Sequence, residues 1–309
     1  MNQPFVVAII LITFQMASAQ VDLDSLPRKG SYLYYGQPAF EDNSFLLEEA
    51  FNQPMGVIQH IFNFSINNLH GRDFAYSFTQ EIPLTDLTHQ LSYTLYYNSV
   101  LNEDPVNGNG NASTRTNGFG DLFLSYRPLL WGEKDWAMVI PRFTLILPTG
   151  KAIDGLGNGG FGGQFNLAVT KRLSRKVVTH YNAGYTFISK ADKFQLPSSG
   201  IKILEFEKDL HFQNIGASII WYPKRKFNLL LEYVSNFKSG IAADGTLSRS
   251  HQLTLNPGMR FCFDNGRRQI VPGLSMPVNF INGKYDGSGL FLYLSFEPDY
   301  LSFYKAKGQ

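Results

Sequence analysis

The sequence contains a single cysteine, Cys262, among its 309 residues. One cysteine cannot form an internal disulfide, so the fold is not a disulfide scaffold. Charged residues are scarce at 17% of the chain, compared with about 25% in average proteins. The formal net charge is only +2. Proteins that bind nucleic acid usually carry a clustered basic face, so we expect no nucleic-acid partner.

Long apolar runs are also missing beyond residue 20, where no stretch approaches the roughly twenty residues that a spanning helix needs. Any membrane crossing must therefore use strands. The apolar run from Phe5 to Met16 precedes Ala17-Ser18-Ala19, which is the small-x-small pattern of a signal peptidase site. We expect residues 1–19 to be a signal peptide, cut before Gln20. The alternative is a membrane anchor, for which about a dozen apolar residues are too few.

Aromatic residues, in contrast, make up 15% of the chain, with 26 Phe and 16 Tyr. From Gly56 onward, segments of about 10 to 16 residues alternate between apolar and polar positions and end at Gly, Asn, Asp or Pro. In the second segment, for example, Phe74 and Tyr76 share one face while Ser77 and Thr79 share the other. We predict about twelve strands: 56–67, 73–85, 89–100, 118–131, 136–148, 160–174, 176–190, 209–223, 226–239, 250–264, 269–281 and 288–299.

The lengths of the links between segments separate a barrel from a soluble sandwich. Links after even-numbered segments are tight, whereas most links after odd-numbered segments are longer: 101–117, 149–159, 191–208, 240–249 and 282–287. This parity predicts a closed up-and-down transmembrane β-barrel in a bacterial outer membrane. With an even strand count, both termini would be periplasmic. A Gly-rich stretch at 155–160 leads into a strand and is interpreted as a flexible outer loop.

Polar side chains of such a barrel must face its lumen, because an Arg facing lipid at mid-depth costs about 2 to 4 kcal/mol. Opposite charges inside the barrel can have a purely structural role, in which they pair with one another, or they can line a constriction that selects solutes. Barrels of eight strands are filled by side chains and those of sixteen or more hold wide pores, so about twelve strands predict a narrow path. The candidate lumen-lining residues are Glu81, Asp121, Arg127, Arg142, Arg172, His180, Asn182, Glu232, Asn256, Arg260 and Glu297.

Residues 20–55 form a lead-in before the barrel domain of residues 56–309. Within it, residues 43–52 predict a short helix. Asn43 or Ser44 can cap this helix, and the negative charges of Glu48 and Glu49 are favourable near the positive end of its dipole. We expect this helix at the periplasmic mouth or inside the lumen. Phe45, Glu48 and Glu49 are its candidate plug or gate residues.

An outer-membrane enzyme is the second class of function considered. A barrel hydrolase needs a nucleophile beside a base, and His180 near Asn182 is the best candidate for the base. A histidine that lines the lumen is the simpler interpretation, so we expect no catalytic residues, metal or cofactor. The third class is a soluble secreted lipid-binding β-protein. The expected partners are outer-membrane lipid and a small-molecule solute, and the oligomeric state stays open, with a monomer compatible.

Several short motifs resemble a known family. They are residues 42–53 (DNSFLLEEAFNQ), residues 56–61 (GVIQHI), Pro141-Arg142, Leu147-Pro148-Thr149-Gly150, and Asn182-Ala183-Gly184-Tyr185. These motifs resemble the outer-membrane transporters named after the meta-cleavage pathway of phenol degradation. The resemblance implies a barrel channel for small, apolar or aromatic, compounds. It carries no catalytic residues over to this chain.

Overall fold

The computed structural model describes residue 40 and residues 44–66, 73–85, 87–104, 112–132, 136–195, 203–242, 244–264, 268–298 and 300. The strands form one antiparallel sheet in which each strand pairs with its neighbours in sequence. The first strand also pairs with the last. The sheet therefore closes on itself as a barrel, and the segment Ala112–Phe119 extends beyond the closed part with a partner on one side only.

Twelve barrel strands can be followed around the cylinder, four of them interrupted once. They are β1 Gln59–Ile66, β2 Phe74–Thr85, β3 His89–Asp104, β4 Ala112–Phe119 with Leu122–Pro128, β5 Met138–Leu147 and β6 Gly162–Ser174, then β7 Val177–Gln195, β8 Ile203–Lys224, β9 Phe227–Ile241, β10 Leu247–Phe261 with Phe263–Asp264, β11 Arg268–Ser275 with Val278–Ile281, and β12 Lys284–Ser288 with Leu290–Pro298. The predicted fold class and strand count are confirmed, although β4, β10, β11 and β12 each carry an irregularity or break.

Alternation along the strands sorts side chains between the two faces of the cylinder. In β9, Leu231 and Tyr233 are exposed on the outer face, while Glu232 between them is fully buried inside. Register keeps neighbours on the same face, because Glu232 pairs with Ser218 of β8 and Asn256 of β10. The outer surface is accordingly rich in large exposed apolar side chains.

The two ends of the barrel differ in how the strands are joined. At the short-turn end, β6 and β7 are linked by residues 175–176, and β8 and β9 by residues 225–226. At the long-loop end, the link between β5 and β6 spans residues 148–161 and contains a 3₁₀ turn, Ala152–Asp154. The last link at this end is a two-residue turn, Asn282-Gly283, in which both residues have positive φ, as in type I′ hairpins.

Strands at the long-loop end extend beyond the predicted limits. β7 and β8 continue to Gln195 and from Ile203, through much of the segment 191–208 that the sequence analysis assigned to a loop. β3 likewise runs to Asp104 and β4 begins at Ala112. The backbone ladder persists there although the apolar alternation has ended.

Aromatic side chains are exposed on the outer face near both ends, including Trp131, Trp136 and Trp221 toward the short-turn end and Tyr97 and Phe119 toward the other. Tyr222, which neighbours Trp221, points inward and is buried, because adjacent strand residues face opposite sides. Among the described residues, no helix is long and apolar enough to cross a membrane.

Candidate functional site

Residues 44–53 lie inside the barrel and are called the plug segment here. They do not form the helix that the sequence analysis predicted over residues 43–52, since residues 44–52 contain bends and no helical turn, and residue 43 is outside the described part. The physical reason lies in the surrounding wall, whose side chains accept the backbone N–H groups that a helix would use internally.

Two wall side chains hold the middle of the plug segment. The Glu232 carboxylate accepts the backbone N–H groups of Leu46 and Leu47 at 2.9 and 3.2 Å. The same carboxylate accepts the Asn256 amide at 2.6 Å. Asn182 accepts the N–H of Glu48 and donates to its carbonyl, both at 2.9 Å. Each wall group thus replaces bonds that a neighbouring strand would have supplied.

The second half of the plug segment, residues 49–53, is held nearer to the short-turn end. Thr170 accepts the N–H of Ala50 at 2.7 Å, and Gln90 accepts that of Gln53 at 2.7 Å. The Arg127 guanidinium donates to the carbonyls of Glu49 and Phe51 at 2.5 and 3.2 Å. The segment is therefore tied to strands on several sides of the barrel.

Two charge pairs lie at the plug segment, one between two wall residues and one between the plug segment and the wall. Arg127 pairs with Glu81 at 3.4 Å, and both side chains are buried. Glu48 pairs with Arg142 at 2.6 Å, and this pair is partly exposed. A buried carboxylate or guanidinium without such partners would carry a large desolvation penalty. The plug segment and its wall therefore depend on each other for charge compensation.

Phe45 occupies a socket made by two wall glycines. An added Cβ at Gly258 or Gly273 would lie 2.3 or 2.5 Å from the Phe45 ring. Phe291 and Tyr293 of β12 pack beside the ring, with centroid distances of 5.7 and 5.8 Å. The Arg260 guanidinium lies 5.9 Å from its centroid. Glycine is required here because the ring approaches the wall too closely for any side chain.

This socket leads to a prediction about Gly273→Ala. The added methyl overlaps the Phe45 ring, and overpacking of this kind costs about 1 to 3 kcal/mol. The plug segment should undock more readily, so the channel should spend more time in a higher-conductance state in planar bilayers. Adding Phe45→Ala removes the ring, and the methyl should then change conductance much less, because its remaining close neighbour is the flexible Arg260 side chain at 2.8 Å. An unchanged conductance pattern in the single variant Gly273→Ala would contradict the socket.

Most predicted lumen residues face the interior, including Arg142, Arg172 and Arg260. Arg127, Arg142, Asn182 and Glu232 contact the plug segment directly, whereas Glu81, Asn256 and Glu297 act through a neighbour. Among the predicted plug residues, Phe45 fills the socket, Glu48 forms the ion pair, and Glu49 is buried and contributes its carbonyl. The neutral side chains Gln90, Thr170 and Ser218 are contacts that the sequence analysis missed, although their inward strand positions could have indicated them.

Asp121 has a different role from the one predicted, because it fixes a loop. Its carboxylate accepts the backbone N–H of Gly150 and both the backbone and side-chain amides of Asn158, each at 3.0 Å. Leu156 of the same loop is buried against Gly118 and Gly120 at the break in β4. The Gly-rich stretch is therefore anchored, contrary to its interpretation as a flexible loop.

Above the plug segment, toward the long-loop end, lies a cavity of about 450 Å³ that we call the vestibule. Leu46, Leu47 and Glu48 border it from the plug, and side chains of β5 to β12 form its wall. In the described part of the chain, no three metal-ligating side chains come together. The vestibule, enclosed by the barrel wall and bordered by the plug segment, is the candidate site for a solute.

His180, the candidate base, is buried near the short-turn half of the lumen. Its Nδ1 lies 2.8 Å from the Thr170 hydroxyl, which already accepts the Ala50 N–H. A nucleophile must reach its substrate, and this hydroxyl is covered by the plug segment. The arrangement supports the plug and offers no accessible nucleophile at His180.

A closed barrel with an apolar exterior and a polar interior defines the class of outer-membrane β-barrels. A family model described as "Putative MetA-pathway of phenol degradation" matches residues 64–267, about two thirds of the chain. The chain belongs to this family, which confirms the resemblance found in the sequence. No curated protein matches by sequence.

Several solved structures are similar to this chain, and the first of them supports the fold. The COG4313 outer membrane channel from Pseudomonas putida F1 superposes with a TM-score of 0.58 at 14% identity, covering 84% of this chain and 99% of that one. The NanC porin matches with a TM-score of 0.44 at 8% identity, over 78% of this chain and 98% of the other. The KdgM porin also gives 0.44 and 8%, over 77% and 98%.

Proposed function

We propose that this chain is an outer-membrane channel that passes small solutes through its lumen, with the plug segment restricting the path. The observation that carries the proposal is the vestibule, a polar cavity inside a closed barrel that ends at a segment held by side-chain contacts. Wall strands are joined by backbone ladders, but the plug segment is attached through individual groups. Such contacts can exchange with water one at a time when the segment moves.

The orientation that we propose for the barrel in the membrane rests on the even strand count and on the lengths of the links between strands. Barrels of this class place short turns in the periplasm and longer loops outside, so both termini would be periplasmic and the vestibule would open to the exterior. Export would use residues 1–19 as a signal peptide, with residues 20–55 as lead-in and 56–309 as barrel. The exposed apolar exterior argues against a soluble lipid-binding protein, because a soluble surface rarely presents apolar patches this large.

The family name suggests small, apolar or aromatic, solutes. A closed barrel has no free edge that needs a second copy, so a monomer is sufficient. No catalytic role is proposed, since the solute path offers an accessible cavity but no accessible nucleophile–base pair at His180.

Conductance and uptake by the refolded chain test the proposal. We expect discrete current steps in planar bilayers, together with swelling of liposomes whose rate falls steeply with solute mass, because twelve strands and a plug leave a narrow path. A gel-mobility shift on heating shows that the sample is folded. Folded protein that gives neither current steps nor swelling would contradict a channel.

A further inference from the structure

The polar wall of the vestibule is built mainly from neutral amides. Asn166 and Asn182 lie near the plug, while Asn214, Asn236 and Asn279 line the wall above. Carboxamides both donate and accept hydrogen bonds, so this lining can replace the hydration shell of a polar group. It does not by itself select the sign of a charge.

Two cations and one carboxylate supply the formal charges of the vestibule lining. The carboxylate, Glu48, is already paired with Arg142 at 2.6 Å. Lys238 of β9 points inward, and its ammonium group donates a hydrogen bond to the oxygen of the neutral Gln252 carboxamide at 2.5 Å. Among the described residues it forms no ion pair. The lining therefore has an excess positive charge, located at Lys238.

Apolar side chains border the same cavity. Leu46 at the plug is 38% exposed although it lies inside the barrel, whereas the wall residues Val234, Pro277 and Phe291 border the cavity but are mostly buried. Exposed apolar surface inside an otherwise polar lumen is unfavourable in water. A ligand with an apolar body would cover this surface.

We propose that the vestibule binds small organic anions, specifically a carboxylate attached to a ring or short apolar body. Lys238 would attract the carboxylate, the amides would replace its water, and Leu46 and Phe291 would contact the body. A cavity of about 450 Å³ falls within the about 300 to 1,000 Å³ of small-molecule sites. This inference rests on the proposed function, because it places the solute in the channel's path. It differs from a neutral phenolic solute, which would leave the charge of Lys238 unused.

Calorimetric titration of the folded chain in neutral detergent tests the inference without requiring conduction. Three probes of similar size are compared, namely benzoate, benzamide and benzylammonium. We expect benzoate to bind about tenfold more tightly than the other two, equal to about 1.4 kcal/mol. Binding should weaken at high salt, because a partly hydrated charge pair is screened.

Lys238→Gln removes the charge while keeping a hydrogen-bonding side chain and the Glu48–Arg142 pair. It should abolish most of the preference for benzoate. Lys226→Gln is the matched control, since Lys226 lies in the exposed turn between β8 and β9 and should leave binding unchanged. Equal affinity for benzamide, a preference for benzylammonium, or an unaltered preference in Lys238→Gln would each overturn the inference.

Conductance separates this inference from the proposed function. Current steps without preferential benzoate binding would leave the channel standing and overturn the anion site. Benzoate binding that depends on Lys238, in a folded chain without conductance or swelling, would support the site and contradict the channel.

Discussion

Removal of residues 40–54 should raise the single-channel conductance several-fold. The plug segment fills the lumen between Glu232, Asn182 and Arg127, and without it a continuous water-filled path replaces the constriction. The barrel should survive, because β1 begins at Gln59 and keeps its pairing with β2 and β12. Water entering the space would hydrate the wall charges that the plug had covered, so the desolvation penalty of these charges would fall.

A replacement of residues 44–53 by a Gly-Ser segment of equal length is the control for this deletion. It keeps the tether and the backbone groups but loses the side chains of Phe45 and Glu48. Because such a segment is flexible, we expect an intermediate, noisy conductance. If folded deletion variants conducted no more than the full chain, residues 44–53 would not be the restriction.

The variant Arg127→Met should destabilise the protein by about 3 to 5 kcal/mol, the usual cost of removing one partner from a buried ion pair. Glu81 would remain buried without its cation, and the carbonyls of Glu49 and Phe51 would lose a donor. Urea unfolding in lipid vesicles, followed by tryptophan fluorescence, measures the loss. If the plug undocks before the barrel unfolds, part of this loss appears as increased conductance.

Arg142→Met is the matched comparison, because Arg142 is also an inward-facing arginine that pairs with a carboxylate, Glu48 of the plug, but this pair is partly exposed. Exposed pairs contribute about 0 to 1 kcal/mol, so its effect should be several times smaller. The double variant Glu81→Leu with Arg127→Met should recover part of the loss, since no unpaired charge remains. Equal losses from Arg127→Met and Arg142→Met would contradict the role assigned to burial.

The barrel was predictable from the sequence because a lipid-facing strand must alternate. Leu229, Leu231 and Tyr233 lie outside and Glu232 inside, as their spacing predicts. The extensions of β7 and β8 to Gln195 and from Ile203 were not predictable in this way. Both faces of those extensions carry polar residues, so the pattern ends before the backbone ladder does.

The candidate site was predicted only in part, for a related reason. Charges such as Arg127 and Glu232 indicate the lumen because burying them in lipid is costly, but neutral residues such as Gln90 and Thr170 carry no comparable signal. A helix was predicted for the plug segment because Ser44, Glu48 and Glu49 suit a helix start. Local preference was overridden by wall groups more than a hundred residues away, including Asn182 and Glu232.

The pairing of β1 with β12 has a consequence for biogenesis. The barrel cannot close until its C-terminal strand, β12, is available to pair with β1. Residues 44–53 precede β1 by only a few residues. These residues can therefore enter the interior before or while β12 pairs with β1. Insertion and self-occlusion would then be one event, and a newly assembled molecule would enter the membrane already restricted.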